Sequence, residues 1–278
     1  MIEIGQQQTV TVIQSQDRRY YIQDPVWGEI PLVDAPTSLP SDNRLQVFIY
    51  QTESGLVATE QLPLVQAGEC ATLEVEAINE MGAFLDWGMK KQLLLPFSEQ
   101  HNPVLIGEKC VVYVDVDPTT HRLVATSYIE RHLPETSVYY RAQQAVSLRV
   151  LKATQLGYKV IVDDSVIGLL FHSDVLFPIH YGQQIKGFIK QVRSDGKLDL
   201  CMQLVSRQAL DKLSQTILSW LIEQGGTGTL TDKSTPTAIA KQFGVSKSSY
   251  KKALGKLYKQ RRIEISDDCI RLVNNDGD

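Results

Sequence analysis

Gly157-Tyr158-Lys159-Val160, Gly168-Leu169-Leu170-Phe171-His172-Ser173, Tyr181-Gly182-Gln183-Gln184 and Gln191-Val192-Arg193-Ser194-Asp195-Gly196-Lys197-Leu198 follow one another in that order. The same landmarks occur one unit earlier as Gly82-Ala83-Phe84-Leu85-Asp86, Leu93-Leu94-Leu95-Pro96-Phe97-Ser98-Glu99, Ile106-Gly107-Glu108-Lys109 and the run from Val114 to Leu123. Each unit reads as strand, Gly-containing turn, strand, apolar run into a polar connection, a Gly-polar-polar step, and two strands about a polar turn. A looser copy runs from Gly5 through Tyr20-Tyr21-Ile22 and Gly28-Glu29-Ile30-Pro31-Leu32 to Gly55-Leu56. Five short strands in about 65–75 residues, with a long connection before the fourth, predict a small Greek-key barrel of the OB type. Such units exceed the usual solenoid period and hold enough strands to close alone, so discrete barrels are expected rather than a stack.

Helical spacing begins only after Ser206, where Leu210, Leu213, Ile217, Leu218, Trp220 and Leu221 recur as in an amphipathic helix. Gly225-Gly226-Thr227-Gly228 reads as a helix stop and loop; it lacks the spacing of a phosphate-binding loop. Thr235-Pro236 is a hydroxyl N-cap with proline at the first helical position. Gly244-Val245-Ser246 then turns the chain into a second capped helix, with Tyr250, Ala253, Leu254 and Leu257 as its buried stripe. This is a helix-turn-helix pattern. Residues 261–273 read as a two-stranded wing turning at Asp267-Asp268. The predicted fold is mainly β: three five-stranded OB-type barrels (1–63, 64–133, 140–205) and an α+β winged helix (206–278).

These residues carry a resemblance. Gly82-Ala83-Phe84-Leu85, the Leu93–Glu99 run, Gly107-Glu108 and Arg122-Leu123 resemble the RNA-binding OB repeat of ribosomal protein S-one. Gly157-Tyr158-Lys159-Val160, Gly168-Leu169-Leu170-Phe171 and Asp195–Leu200 resemble the version found in the conserved virulence factor B family. So do Asp232-Lys233-Ser234-Thr235-Pro236, the run Lys241–Lys247 and Leu257-Tyr258-Lys259-Gln260 in the winged helix. That bacterial family has tandem S-one repeats followed by a winged helix, and the resemblance implies post-transcriptional control of gene expression. Mapped by resemblance, Phe171 and Pro96 take the place of a binding histidine, and Lys197 that of an arginine.

Net charge is −4, which argues against a simple polybasic nucleic-acid binder until it is read by segment. Residues 1–139 hold 8 basic and 19 acidic side chains, residues 140–205 hold 8 and 5, and residues 206–278 hold 12 and 8. Phosphate attraction therefore belongs to the C-terminal half. In RNA-binding OB folds, exposed rings stack on bases while nearby cations hold phosphates. The expected RNA-binding residues are Tyr158, Lys159, Phe171, His172, Lys190, Arg193 and Lys197 in the third barrel. Lys247, Lys251, Lys252, Arg261 and Arg262 join them from the winged helix. Tyr158 and Phe171 have an alternative use as barrel core. Phe84, Asp117 and Arg122 form a secondary candidate set in an acidic setting. The first unit offers Tyr20 and Tyr21 beside Arg18 and Arg19. For both acidic units, protein contact or domain spacing is an equal expectation.

Cys70, Cys110, Cys201 and Cys269 stand far apart, each in an apolar run, and read as buried thiols rather than metal ligands or disulfides. Asp115-Val116-Asp117 lies at a strand end beside a turn. No metal, no cofactor and no catalytic constellation is expected, hence no enzyme. Met1–Gln6 lacks a basic and apolar leader, and no apolar run is long enough to span a bilayer, so a cytoplasmic protein is expected. The leading expectation is a single-stranded RNA binder. The rivals are a transcription regulator reading duplex DNA through the winged helix, and an adaptor contacting the ribosome or RNA polymerase.

Overall fold

The computed structural model describes residues 2–14, 19–34, 40–204 and 206–273. The chain forms two compact units, residues 1–133 and 134–278.

The first unit opens with β1 (Gln7–Thr11), β2 (Ile13–Gln14), β3 (Tyr20–Asp24), β4 (Gly28–Val33), β5 (Arg44–Thr52) and β6 (Gly55–Thr59), in the sheet order β1-β5-β6-β4-β3-β2. This departs from a closed five-stranded barrel. The two sheet edges, β1 and β2, are halves of one strand broken at buried Val12, whose N–H bonds to Asn43 O at 2.8 Å. The first half pairs with β5 and the second with β3. Alternate residues Leu45, Val47 and Ile49 of β5 face this sheet's own core, while Phe48 joins the core of the next barrel against Trp87.

That barrel comprises β7 (Cys70–Asn79), β8 (Gly82–Asp86), β9 (Leu93–Pro96), β10 (Lys109–Val116) and β11 (Leu123–Thr126), closed in the order β10-β11-β9-β8-β7. Its first strand changes partner at a bulge between Val75 and Ala77 rather than at a break.

The second unit repeats this topology with β12 (Ala145–Ala153), β13 (Gly157–Val162), β14 (Val166–Phe171), β15 (Gln184–Val192) and β16 (Leu198–Cys201), closed as β12-β13-β14-β16-β15. A bulge between Val150 and Lys152 again lets the first strand serve two partners. A 3-10 turn, His172–Asp174, follows β14, as Phe97–Glu99 follows β9.

The winged helix holds α1 (Arg207–Glu223), β17 (Thr227–Gly228), α2 (Pro236–Phe243), α3 (Lys247–Lys259), β18 (Ile263–Ile265) and β19 (Ile270–Leu272). Each helix starts at a hydroxyl cap: Ser206 accepts from Ala209 N–H, Thr235 from Ala238 N–H and Ser246 from Ser249 N–H. Tyr250, Ala253, Leu254 and Leu257 are buried on one stripe, and the Tyr250 hydroxyl donates to Leu230 O at 2.7 Å. The wing turns at Asp267-Asp268, closed by the bond from Ser266 N–H to Cys269 O. Within the stretch expected to be a loop, Thr227–Gly228 forms a third strand paired with β19. Gly228 is required there, since a Cβ would lie 2.3 Å from the Trp220 ring.

Cys70, Cys110 and Cys201 are buried, and burial pushes the Cys110 thiol up to about 11. Among the described residues no His/Cys/Asp/Glu group could hold a metal, and no helix is long and apolar enough to cross a membrane.

Candidate nucleic-acid interface

Strand register fixes which third-barrel side chains share a face. Residues directly opposite in an antiparallel pair lie on the same side of the sheet. Gly157 faces Phe171 and Lys159 faces Leu169, both pairs on the outer face, whereas Tyr158 faces Leu170 and Val160 faces Gly168 toward the core. A Cβ at Gly157 would meet Leu170 O at 2.2 Å and Phe171 Cα at 2.6 Å, so only glycine lets the strand cross there.

Five of the expected third-barrel residues therefore gather on one outer face. Phe171, half-buried at the end of β14, has Lys190 Nζ 5.6 Å and Arg193 Cζ 6.0 Å from its ring centroid. Lys190 bonds to Asp174 at 2.7 Å, and Arg193 to Asp199 at 2.6 Å, both carboxylates being almost fully buried. Asp199 also accepts from Gln191 at 2.6 Å and holds the Arg193 guanidinium above its ordinary range. Lys159 and Lys197 meet on Glu135, at 2.7 and 3.0 Å. These two ammonium groups hold the Glu135 carboxyl down to about 2. The surrounding groove, about 460 Å³, is lined by Thr154, Leu156, Ile167 and Leu169 besides these ions.

Tyr158 and His172 lie elsewhere. Tyr158 packs partly against the barrel core and edge-on to His172 at 5.1 Å, and His172 Nε2 bonds to Thr154 O at 3.0 Å. Both line a second cleft of about 510 Å³ between the third barrel and α2, with Phe177, Pro178, Pro236 and Lys241. The 3-10 turn that carries His172 packs against α3.

Of the winged-helix cations, Lys247 donates to Lys233 O at 3.3 Å and Lys251 stands 3.6 Å from Asp232. Lys252, Arg261 and Arg262 are exposed and form no ion pair among the described residues.

The second barrel shows what these positions become in an acidic setting. Gly82 faces Pro96 as Gly157 faces Phe171, so Phe84 stands where Lys159 does. The hairpin bond from Asp117 N–H to Arg122 O matches that from Arg193 N–H to Lys197 O. Asp117 thus occupies the Arg193 position. Its carboxylate accepts from the N–H groups of Thr120 and Thr119 and from the Thr120 hydroxyl, which hold its pKa below the usual range. Asp117 builds the turn, and Arg122 beside it is exposed. In the first unit Tyr20 packs against the sheet's core cluster, and Arg18 lies outside the described residues.

Sequence reasoning missed Glu135, Asp174, Asp199, Phe177 and Lys241. Asp199, set between Leu198 and Leu200 in an apolar strand, was the one legible signal, because a carboxylate there demands a partner.

Residues 215–272 match the CvfB-like winged helix domain. The chain is 26% identical over 276 residues to the uncharacterized protein YitL of Bacillus subtilis, covering 93% of this chain and 90% of that one. It is 24% identical over 284 residues to conserved virulence factor B of Staphylococcus epidermidis, covering 97% and 95%. A crystal structure described as a multidomain protein with nucleic acid binding domains, from Streptococcus pneumoniae, aligns over 97% of this chain and 98% of its own. Its identity is 23% and its TM-score 0.40. The chain is similar to conserved virulence factor B proteins over nearly its whole length, and its residues 215–272 match the CvfB-like winged helix domain.

Proposed function

We propose that this protein binds single-stranded RNA without catalysing a reaction, and that it acts in post-transcriptional control of gene expression. The third barrel's outer face and the winged helix form the main binding surface. One observation carries this reading: a half-exposed ring, Phe171, lies near Lys190 and Arg193, next to a groove lined by Arg193, Lys159 and Lys197. A ring on an open sheet stacks on unpaired bases, which a duplex does not present, and flanking cations take phosphates. A duplex reader needs its second helix free to enter a major groove. The packing of α3 against the turn His172–Asp174 weighs against that use.

Anisotropy titrations with single-stranded RNA and duplex DNA of matched length, at several salt concentrations, test the reading. Tighter binding of RNA is expected. Tighter binding of the duplex overturns it.

A further inference from the structure

The cations of the third barrel are neutralised in two different ways. Lys190 and Arg193 are tied to Asp174 and Asp199, whose side chains are 5% and 6% exposed and belong to the barrel itself. Lys159 and Lys197 are tied to Glu135, which is 42% exposed and belongs to the segment leading into the barrel. That segment is docked at two points: Pro134 O accepts from Ile167 N–H at 2.8 Å, and Ser137 N–H donates to Gly196 O at 3.0 Å. Between them, one Glu135 oxygen takes Lys159 Nζ from β13 and the other takes Lys197 Nζ from the β15–β16 turn.

Two ammonium groups from separate elements, each on its own oxygen of one anion, is also the way a pair of lysines grips two non-bridging oxygens of a phosphate. We propose that Glu135 occupies a backbone-phosphate subsite of the RNA path, as an internal competitor that the incoming strand displaces. This inference rests on the reading of the third barrel as an RNA face. The buried acids beneath Lys190 and Arg193 have no such role, because nothing solvent-borne can take their place. Glu135 stays ionised throughout the neutral range, so the competition is set by phosphate and salt rather than by pH.

The test is Glu135→Gln in the full chain, titrated with a short oligouridine RNA over a salt series. Glutamine keeps the side chain's shape and removes its charge. Affinity is expected to rise about 3- to 10-fold at low salt, with a gain that shrinks as salt screens the lysines. In a Lys197→Gln background the gain is expected to shrink as well, because the contested site has lost half its charge. Unchanged or weaker binding by Glu135→Gln, with Lys197→Gln still weakening the wild type, overturns the inference and leaves the RNA reading standing. If Lys159→Gln, Lys197→Gln and Phe171→Ala all bind RNA as the wild type does, the RNA reading itself fails and the inference with it. Thermal melting of each variant separates lost folding from lost binding.

Discussion

Removing the Phe171 ring probes the centre of the proposed face. The ring lies 5.6 Å from Lys190 Nζ and 6.0 Å from Arg193 Cζ, but neither cation depends on it for position. Asp174 holds the first and Asp199 the second, through bonds of 2.7 and 2.6 Å. Phe171→Ala therefore deletes one stacking platform and leaves the charges in place. Base–ring stacking is worth about 1–3 kcal/mol, which corresponds to a roughly 5- to 150-fold rise in Kd. No phosphate partner is lost, so the slope of log K against log salt is expected to stay at its wild-type value. Lys197→Gln provides the contrast, with a slope reduced by about 0.7 for one phosphate contact on a single strand. Anisotropy of a labelled oligouridine over a salt series reads both quantities at once. Phe84→Ala, which removes a ring from the corresponding face of the acidic barrel at the Lys159 position, is the control and is expected to lose less. Binding within about twofold of wild type by Phe171→Ala, or a larger loss in Phe84→Ala, would refute the assignment of the face.

Gly157→Ala is expected to destabilise the third barrel by about 2–4 kcal/mol, because its Cβ would press on the backbone of Leu170 and Phe171 and must part β13 from β14. Calorimetry would show that transition moving down while the transition of residues 1–133 stays put; an unmoved melt contradicts the register. The Glu135 carboxyl, depressed from about 4.5 to about 2 first by its bond to Lys159, contributes stability that is present above its ordinary pKa and lost as pH falls through the folded value. Screening at this exposed pair limits the contribution to about 0–1 kcal/mol, so the titration itself is the better measurement. Carboxyl NMR should place the midpoint near 2 and show it rising toward its ordinary value in Lys159→Gln; a midpoint that ignores Lys159 removes the shared-anion arrangement.

The barrels and the winged helix were readable because each rests on local signals: alternating apolar residues, glycines at turns, and Ser206, Thr235 and Ser246 before helical stripes. The break at Val12 was not readable, since bulge and break differ only in how one residue's N–H finds Asn43. Nor was β17, a two-residue strand whose glycine is set by the Trp220 ring packed over it. The candidate face was half legible. The ring and the cations stand in the sequence, but Tyr158 and Lys159 are neighbours there and opposites in the sheet, and only the pairing with Leu170 and Leu169 tells which one faces outward. The anions were the least legible part, because ion pairs join residues by tertiary placement. Lys197 meets Glu135 across 62 positions and Lys190 meets Asp174 across 16.

The two closed barrels differ on this face rather than in their cores. Where the third has Lys159, Phe171, Arg193 and Lys197, the second has Phe84, Pro96, Asp117 and Arg122, and Asp117 is committed to its turn. One scaffold thus carries a face with three cations in one repeat and a balanced one in the other. Residues 1–133 hold 18 acidic side chains against 8 basic, a field that repels phosphate within the screening length. Residues 134–278 form a compact unit with its own barrel and winged-helix cores, and they include Glu135 with both of its lysines. Expressed alone, that unit is expected to keep most of the affinity for single-stranded RNA and to bind more tightly than the full chain at low salt, the difference vanishing as salt rises. A fragment that melts cooperatively yet binds no RNA would move the binding surface into the acidic half, against the charge it carries.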